Sequence, residues 1–103
     1  MKKPSIESFL DDAKKFEDFE SKLLSYVKTK PATDAKRMFL NWVFTNTRYT
    51  YDKMGSVFNF SAPSTTLHHL RMHIKRIEDC EVYRDTYTNF NKHMKSLNNR
   101  NSL

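Results

Sequence analysis

One glycine and three prolines in 103 residues leave little material for tight turns. Turns and β-hairpins draw on residues that accept positive φ or arrive with φ preset, so this scarcity argues against a loop-rich or all-β chain. No useful length of Val/Ile/Thr alternation appears either, and the expected class is all-α. Cysteine occurs once, at Cys80. That excludes an intramolecular disulfide and suits a reducing compartment, with the cytoplasm as the expected location. No run approaches the ~20 apolar residues that span a bilayer. Met1-Lys2-Lys3 leads into proline and acids rather than an apolar leader, so neither a membrane nor a signal peptide is expected.

The same scarcities narrow the chemistry. A single glycine leaves no Gly-rich phosphate loop, and ATP hydrolysis is not expected. His69 and His73 stand at i,i+4 with His68 adjacent, but no Glu lies between them and no Cys/His set completes four ligands. No nucleophile–base set stands out. The expectation is a non-enzyme with no metal, cofactor or small-molecule substrate.

What the chain has in excess is positive charge: net +6, with pI near 9.5. Such a balance favours polyanions. Its distribution says more than its total. Residues 1–30 carry 7 Lys/Arg and 6 Asp/Glu, residues 31–60 carry 4 and 2, and residues 61–103 carry 7 and 4. The excess therefore grows toward the C-terminal half.

Helical periodicity organises most of the rest into a single domain. Residues 5 to 29 read as a first helix capped by Ser5, with Ile6, Phe9, Leu10, Ala13, Phe16, Leu23 and Val27 on one stripe and Phe19 and Leu24 beside it. Asp11 with Lys15, and Asp18 with Lys22, are i,i+4 pairs in the favourable order. Three phenylalanines make this stripe wide and leave room for a homodimer contact. Lys30-Pro31 reads as a break. A second helix over 34–46, capped by Thr33 or Asp34, places Trp42 at the centre of the core. A short helix over 51–58 follows, with Thr50 as N-cap. After the breaker cluster Asn59-Phe60-Ser61-Ala62-Pro63, Ser61 is the expected cap of a longer helix. Pro63 fits its first turn, where a missing N–H costs nothing. Leu67, Leu70, Ile74 and Ile77 form the expected buried stripe of that helix. The apolar register then slips by one residue, which suggests a break near Arg84-Asp85-Thr86, a last helix over 86–97 and a polar tail over 98–103.

A short helix, a tight turn and a longer helix whose first turns are polar make a helix-turn-helix, the second helix having the shape to enter a DNA major groove. The expected fold is a small bundle of about five helices.

This segment resembles the C-terminal DNA-binding domain of the bacterial replication initiator DnaA, whose pattern runs roughly I-G-x-x-F-G-x-R-D-H-[ST]-T-V-x-H-A and continues to a basic K-I-E. Met54-Gly55-Ser56-Val57-Phe58 falls on the first part and Ser64-Thr65-Thr66-Leu67-His68-His69 on the second. Arg76-Ile77-Glu78 resembles the K-I-E, and Ala35-Lys36-Arg37-Met38 the opening of the preceding helix. Asp85 with Phe90 is similar to the closing helix. The likeness covers residues 34–97 and implies a fold like those of Trp repressor and the initiator's C-terminal domain. It also implies base-contact candidates Ser64, Thr65, Thr66 and His68, with Gly55 letting the recognition helix pack closely. Candidates for the DNA backbone are Lys36, Arg37, Arg48, Lys53, His69, Arg71, Lys75 and Arg76. Two departures stand out. Ala62-Pro63 replaces the base-reading Arg-Asp pair, and Asp34 falls where the family carries a minor-groove Arg, so the initiator's own DNA boxes are not the expected target.

The expectation is a stand-alone regulator of transcription or replication, of phage or mobile-element size, acting on double-stranded DNA. About six phosphate contacts would give a log–log salt slope near −5. The alternative keeps the fold without base reading, as a protein-interaction module for a nuclease or replication protein. A third reading is RNA binding, with Tyr49 and Tyr51, beside Arg48, stacking on single strands, although the aromatic-rich strands of common RNA-binding modules are lacking.

Overall fold

A computed structural model describes residues 5–26 and 29–98. Among these residues the protein is all-helical: α1 Ile6–Lys14, α2 Phe19–Leu24, α3 Lys30–Asn46, α4 Tyr51–Ser56, α5 Pro63–Asp79 and α6 Glu81–Asn98. No helix is long and apolar enough to cross a membrane among the described residues. The count exceeds the five expected because the first helix is two. Glu17 takes the left-handed conformation at φ 47°, a state that costs a non-glycine residue roughly 1–2 kcal/mol. The turn it makes folds α2 onto α3 while α1 packs on α3 and α6. Both nearby rings then reach the same partner. Phe16 meets Phe90 edge-on at 5.5 Å, and Phe19 stacks on it at 5.3 Å.

The break also redistributes the surface pairs. Asp18 and Lys22 meet as expected, at 2.9 Å. Asp11 pairs instead with Lys14, and Lys15 with Asp12, because Lys15 is already the C-cap. The phenylalanine stripe read as room for a partner packs within the chain, with Phe9 lying against Trp42 at 5.2 Å. Val27, read as part of that stripe, and residues 99–103 of the expected tail lie outside the described residues.

Two further boundaries differ from the sequence reading. Helix α3 begins before Pro31, not after it: Thr29 is the N-cap, its hydroxyl accepting from the Ala32 amide. Pro31 sits in the first turn, where its missing N–H breaks nothing. The expected break near Arg84-Asp85-Thr86 lies at Cys80. Arg84 acts as a C-terminal clamp on α5. Its Nε donates to the Ile77 carbonyl at 2.9 Å and its Nη2 to that of Glu78 at 3.2 Å, satisfying acceptors that a helix end leaves open. The core centres on Phe39 of α3 and Phe90 of α6, both fully buried. Trp42, expected at its centre, is buried in the same cluster at 5% exposure.

Two polar residues of α5, Thr66 and His73, are buried in an otherwise apolar interior among the described residues, and His73 is 2% exposed. Its Nδ1 lies 2.6 Å from the Tyr83 hydroxyl. The Tyr87 ring packs edge-on at 4.4 Å, and the Tyr87 hydroxyl accepts from Asn41 Nδ2 at 2.7 Å. Burial pushes the Tyr83 hydroxyl well above its ordinary range. It therefore stays protonated, and the tautomer of the His73 ring sets which of the two groups donates. Burial first, and the Arg37 charge second, bring the His73 imidazole down to about 4.

This sets a pH dependence. The unfolded chain binds a proton at His73 near pH 6.5 that the folded chain refuses until about pH 4. The stability tied to the neutral ring is complete above pH 6.5 and is lost as pH falls toward 4, in all about 3 kcal/mol. Urea unfolding at pH 7.0 and pH 4.5 should show the wild type losing about 2 kcal/mol more than His73→Gln, which hydrogen-bonds Tyr83 without titrating. Equal losses would exclude His73 as the source.

Candidate nucleic-acid interface

The α4–α5 pair is built from local signals. The Thr50 hydroxyl caps α4 by accepting from the Lys53 amide at 3.1 Å, as the sequence indicates. After Ser56 the chain turns through Asn59 at φ 59°. The Phe60 amide donates to the Gly55 carbonyl and the Asn59 amide to that of Ser56. These are the paired bonds of a Schellman motif, with Asn in the left-handed position. Ser61 is not the cap of α5. That position belongs to Ala62, which offers no side-chain acceptor. A residue before proline is driven into extended backbone, and Ala62 has φ −144°, ψ 146°. Pro63 then opens the helix in its first turn, as expected.

Gly55 fixes how closely the two helices approach. A Cβ there would stand 2.5 Å from Thr66 Oγ1 and 3.2 Å from Phe60. In that space Thr66 is fully buried and donates its hydroxyl to the Tyr51 carbonyl at 3.1 Å. Thr66 is therefore not a base-contact residue; it is the bond that holds α5 to α4. The buried stripe of α5 is Thr66, Leu70 and His73. Ile74, expected inside, is 57% exposed.

The opposite face follows from this rotation. Ser64, His68, Arg71 and Lys75 repeat at i, i+4, i+7, i+11 and are all exposed. They are offset by two residues, about 200° around the helix, from Thr66, Leu70 and His73. Thr65 is half-buried beside them. Arg48 before α4 and Lys53 on α4 are also exposed. Between Lys53 and Ile77 the sequence has no Asp or Glu.

The other four cationic candidates are engaged within the fold. Arg76 pairs with Asp34 at 2.8 Å, joining α5 to α3. Asp34 Oδ1 and Arg76 Nε have no hydrogen-bond partner, so the pair closes through one hydrogen bond rather than a two-pronged fork. Arg37 Nε donates to His69 Nδ1 at 3.1 Å, and the His69 ring stacks on Phe60 at 5.1 Å. Lys36 donates to the Ser25 carbonyl at 2.7 Å and lies over the Phe58 ring; burial lowers its ammonium from the ordinary value. These side chains brace α3, α5 and the turn rather than face a phosphate. Sequence patterning carries no sign of this, since each hydrogen-bond partner lies 11 to 42 residues away. Among the described residues no group of three or more His, Cys, Asp or Glu is placed to hold a metal ion.

Gly55→Ala tests the close approach. Overpacking costs about 1–3 kcal/mol, against ~1 kcal/mol gained from helix propensity. Urea unfolding should show a net loss of about 1 kcal/mol, shrinking in a Thr66→Ala background because the clashing oxygen is gone. A Gly55→Ala protein more stable than wild type would refute the packing. In comparisons with known proteins, no family model, no curated protein and no solved structure matches this chain.

Proposed function

We propose that this protein binds double-stranded DNA through the N-terminal half of α5, as a helix-turn-helix regulator of transcription or replication. One observation carries the reading: the exposed stripe Ser64, His68, Arg71 and Lys75, in a stretch without acids, on the face of α5 opposite its buried contacts. Helix-turn-helix proteins set the first turns of their second helix into the major groove. Here those turns carry Ser64, Thr65 and His68, small or planar hydrogen-bonding groups that suit base edges. Arg71 and Lys75 lie one and two turns further on and suit phosphates, which fix register without reading sequence. Ala62-Pro63 offers no side-chain donor for base reading, so specificity rests on few side chains and target discrimination is modest.

The protein-interaction alternative draws on Ile74, the exposed apolar residue between those cations. The two readings part in their response to salt.

Fluorescence anisotropy with a random-sequence duplex should give a log–log salt slope of about −3 to −4. That is shallower than −5 because Arg48, Lys53, Arg71 and Lys75 are the exposed candidates while Lys36, Arg37, His69 and Arg76 are engaged internally. Arg71→Glu and Lys75→Glu should each weaken binding about tenfold or more at low salt. Lys92→Glu, on the exposed side of α6, should change it little. Salt-independent binding, or equal effects of all three reversals, would reject the DNA reading.

A further inference from the structure

We propose that α6 is an exchangeable element. At high concentration two copies of this chain trade it, and in each the break at Cys80 closes into one helix over 63–98.

The break contains no breaker. No glycine or proline follows Pro63, and Cys80 alone separates α5 from α6. The helical ladder reaches it from both sides. The Cys80 amide donates to the Arg76 carbonyl at 2.9 Å, and the Arg84 amide to the Cys80 carbonyl at 3.0 Å. Each is the i to i−4 bond of an α-helix. Among the described residues three such bonds are missing, those from the amides of Glu81, Val82 and Tyr83 to the carbonyls of Ile77, Glu78 and Asp79. In two of these places the Arg84 guanidinium stands in, on Ile77 and on Glu78. Straightening the chain at Cys80 therefore gives up two side-chain bonds and gains three backbone bonds.

The contacts that fold α6 back do not require one chain. His73 meets Tyr83, and Phe90 meets Phe16 and Phe19. The α6 of a second copy fills the same place, so exchange regains all of them. The apolar register slips by one residue at the break, about 100° around a straight helix. With a partner each half of that helix faces its own core, and the slip is accommodated. Exchange is opposed by Glu78, Asp79, Glu81 and Asp85, exposed around the hinge. Two hinges side by side double that set, so the monomer is the main form at low salt.

The test uses the full chain, refolded from urea at about 1 mM protein in about 0.5 M salt, which screens the hinge acids. Size exclusion with light scattering should show a dimer that persists on dilution, because return to monomer requires α6 to unpack. Arg84→Ala should raise the dimer fraction about fivefold or more, since the bend loses its two side-chain bonds. Inserting Gly-Ser-Gly after Cys80 should leave a folded monomer and no dimer, because a flexible link favours the bend and breaks the straight helix. In dimer refolded from equal parts of ¹³C-labelled and unlabelled chain, isotope-filtered spectra should place Phe90 against Phe16 and Phe19 of the partner subunit. The proposal is overturned if Arg84→Ala stays monomeric, if the insertion leaves the dimer unchanged, or if the Phe90 contacts in the dimer are all within one chain.

Discussion

The hydroxyl of Thr66, donating to the carbonyl of Tyr51 across the space left by Gly55, sets the orientation of the helix on which the functional reading rests. A helix packed against its neighbour can be turned about its own axis, and each residue step is about 100°. A buried hydroxyl must find an acceptor, and the one in reach is fixed by the backbone of α4. With Thr66 held there, Leu70 and His73 follow to the inside. Ser64, His68, Arg71 and Lys75 are carried to the outside.

Positive charge in this protein has two uses that composition does not separate. Arg76 of α5 pairs with Asp34 of α3, Arg37 of α3 donates to the His69 of α5 that stacks on Phe60, and Lys36 holds the Ser25 carbonyl. These contacts join α3 to α5 and to the segment after α2, and they remove charge from the surface. What remains outward on α4, α5 and the segment before α4 is Arg48, Lys53, Arg71 and Lys75. The acids Glu78, Asp79, Glu81 and Asp85 are exposed around the α5–α6 junction. The exposed face of α5 thus carries Arg71 and Lys75 with no acid as far as Ile77, while acids outnumber the one exposed cation, Arg84, around the α5–α6 junction.

Much of the fold was legible from residue types alone. The all-helical class follows from one glycine and helical periodicity. Thr50 as a cap and Pro63 in a first turn follow from local chemistry that needs no distant partner. The misplacements have specific causes. Pro31 obeys the rule that Pro63 obeys, but Lys30 before it pointed to a break. The Glu17 turn has no signature residue, because Glu is an uncommon occupant of the left-handed region. Arg84 looked like part of a break and is instead the clamp on the preceding helix.

The candidate site divides along the same line. Sequence alone determined that a helix started by Pro63 is rich in hydroxyls, imidazoles and cations and carries no acid as far as Ile77. Tertiary structure decided which of those side chains face outward. It placed Thr66 and His73 inside and Ile74 outside, and it spent Arg76, Arg37 and Lys36 on internal partners. The reason is physical. Periodicity reports that a helix has an inner and an outer side. The rotation that assigns a polar residue to one of them is set by a hydrogen bond or ion pair to a group on another helix, which only the folded chain brings within reach.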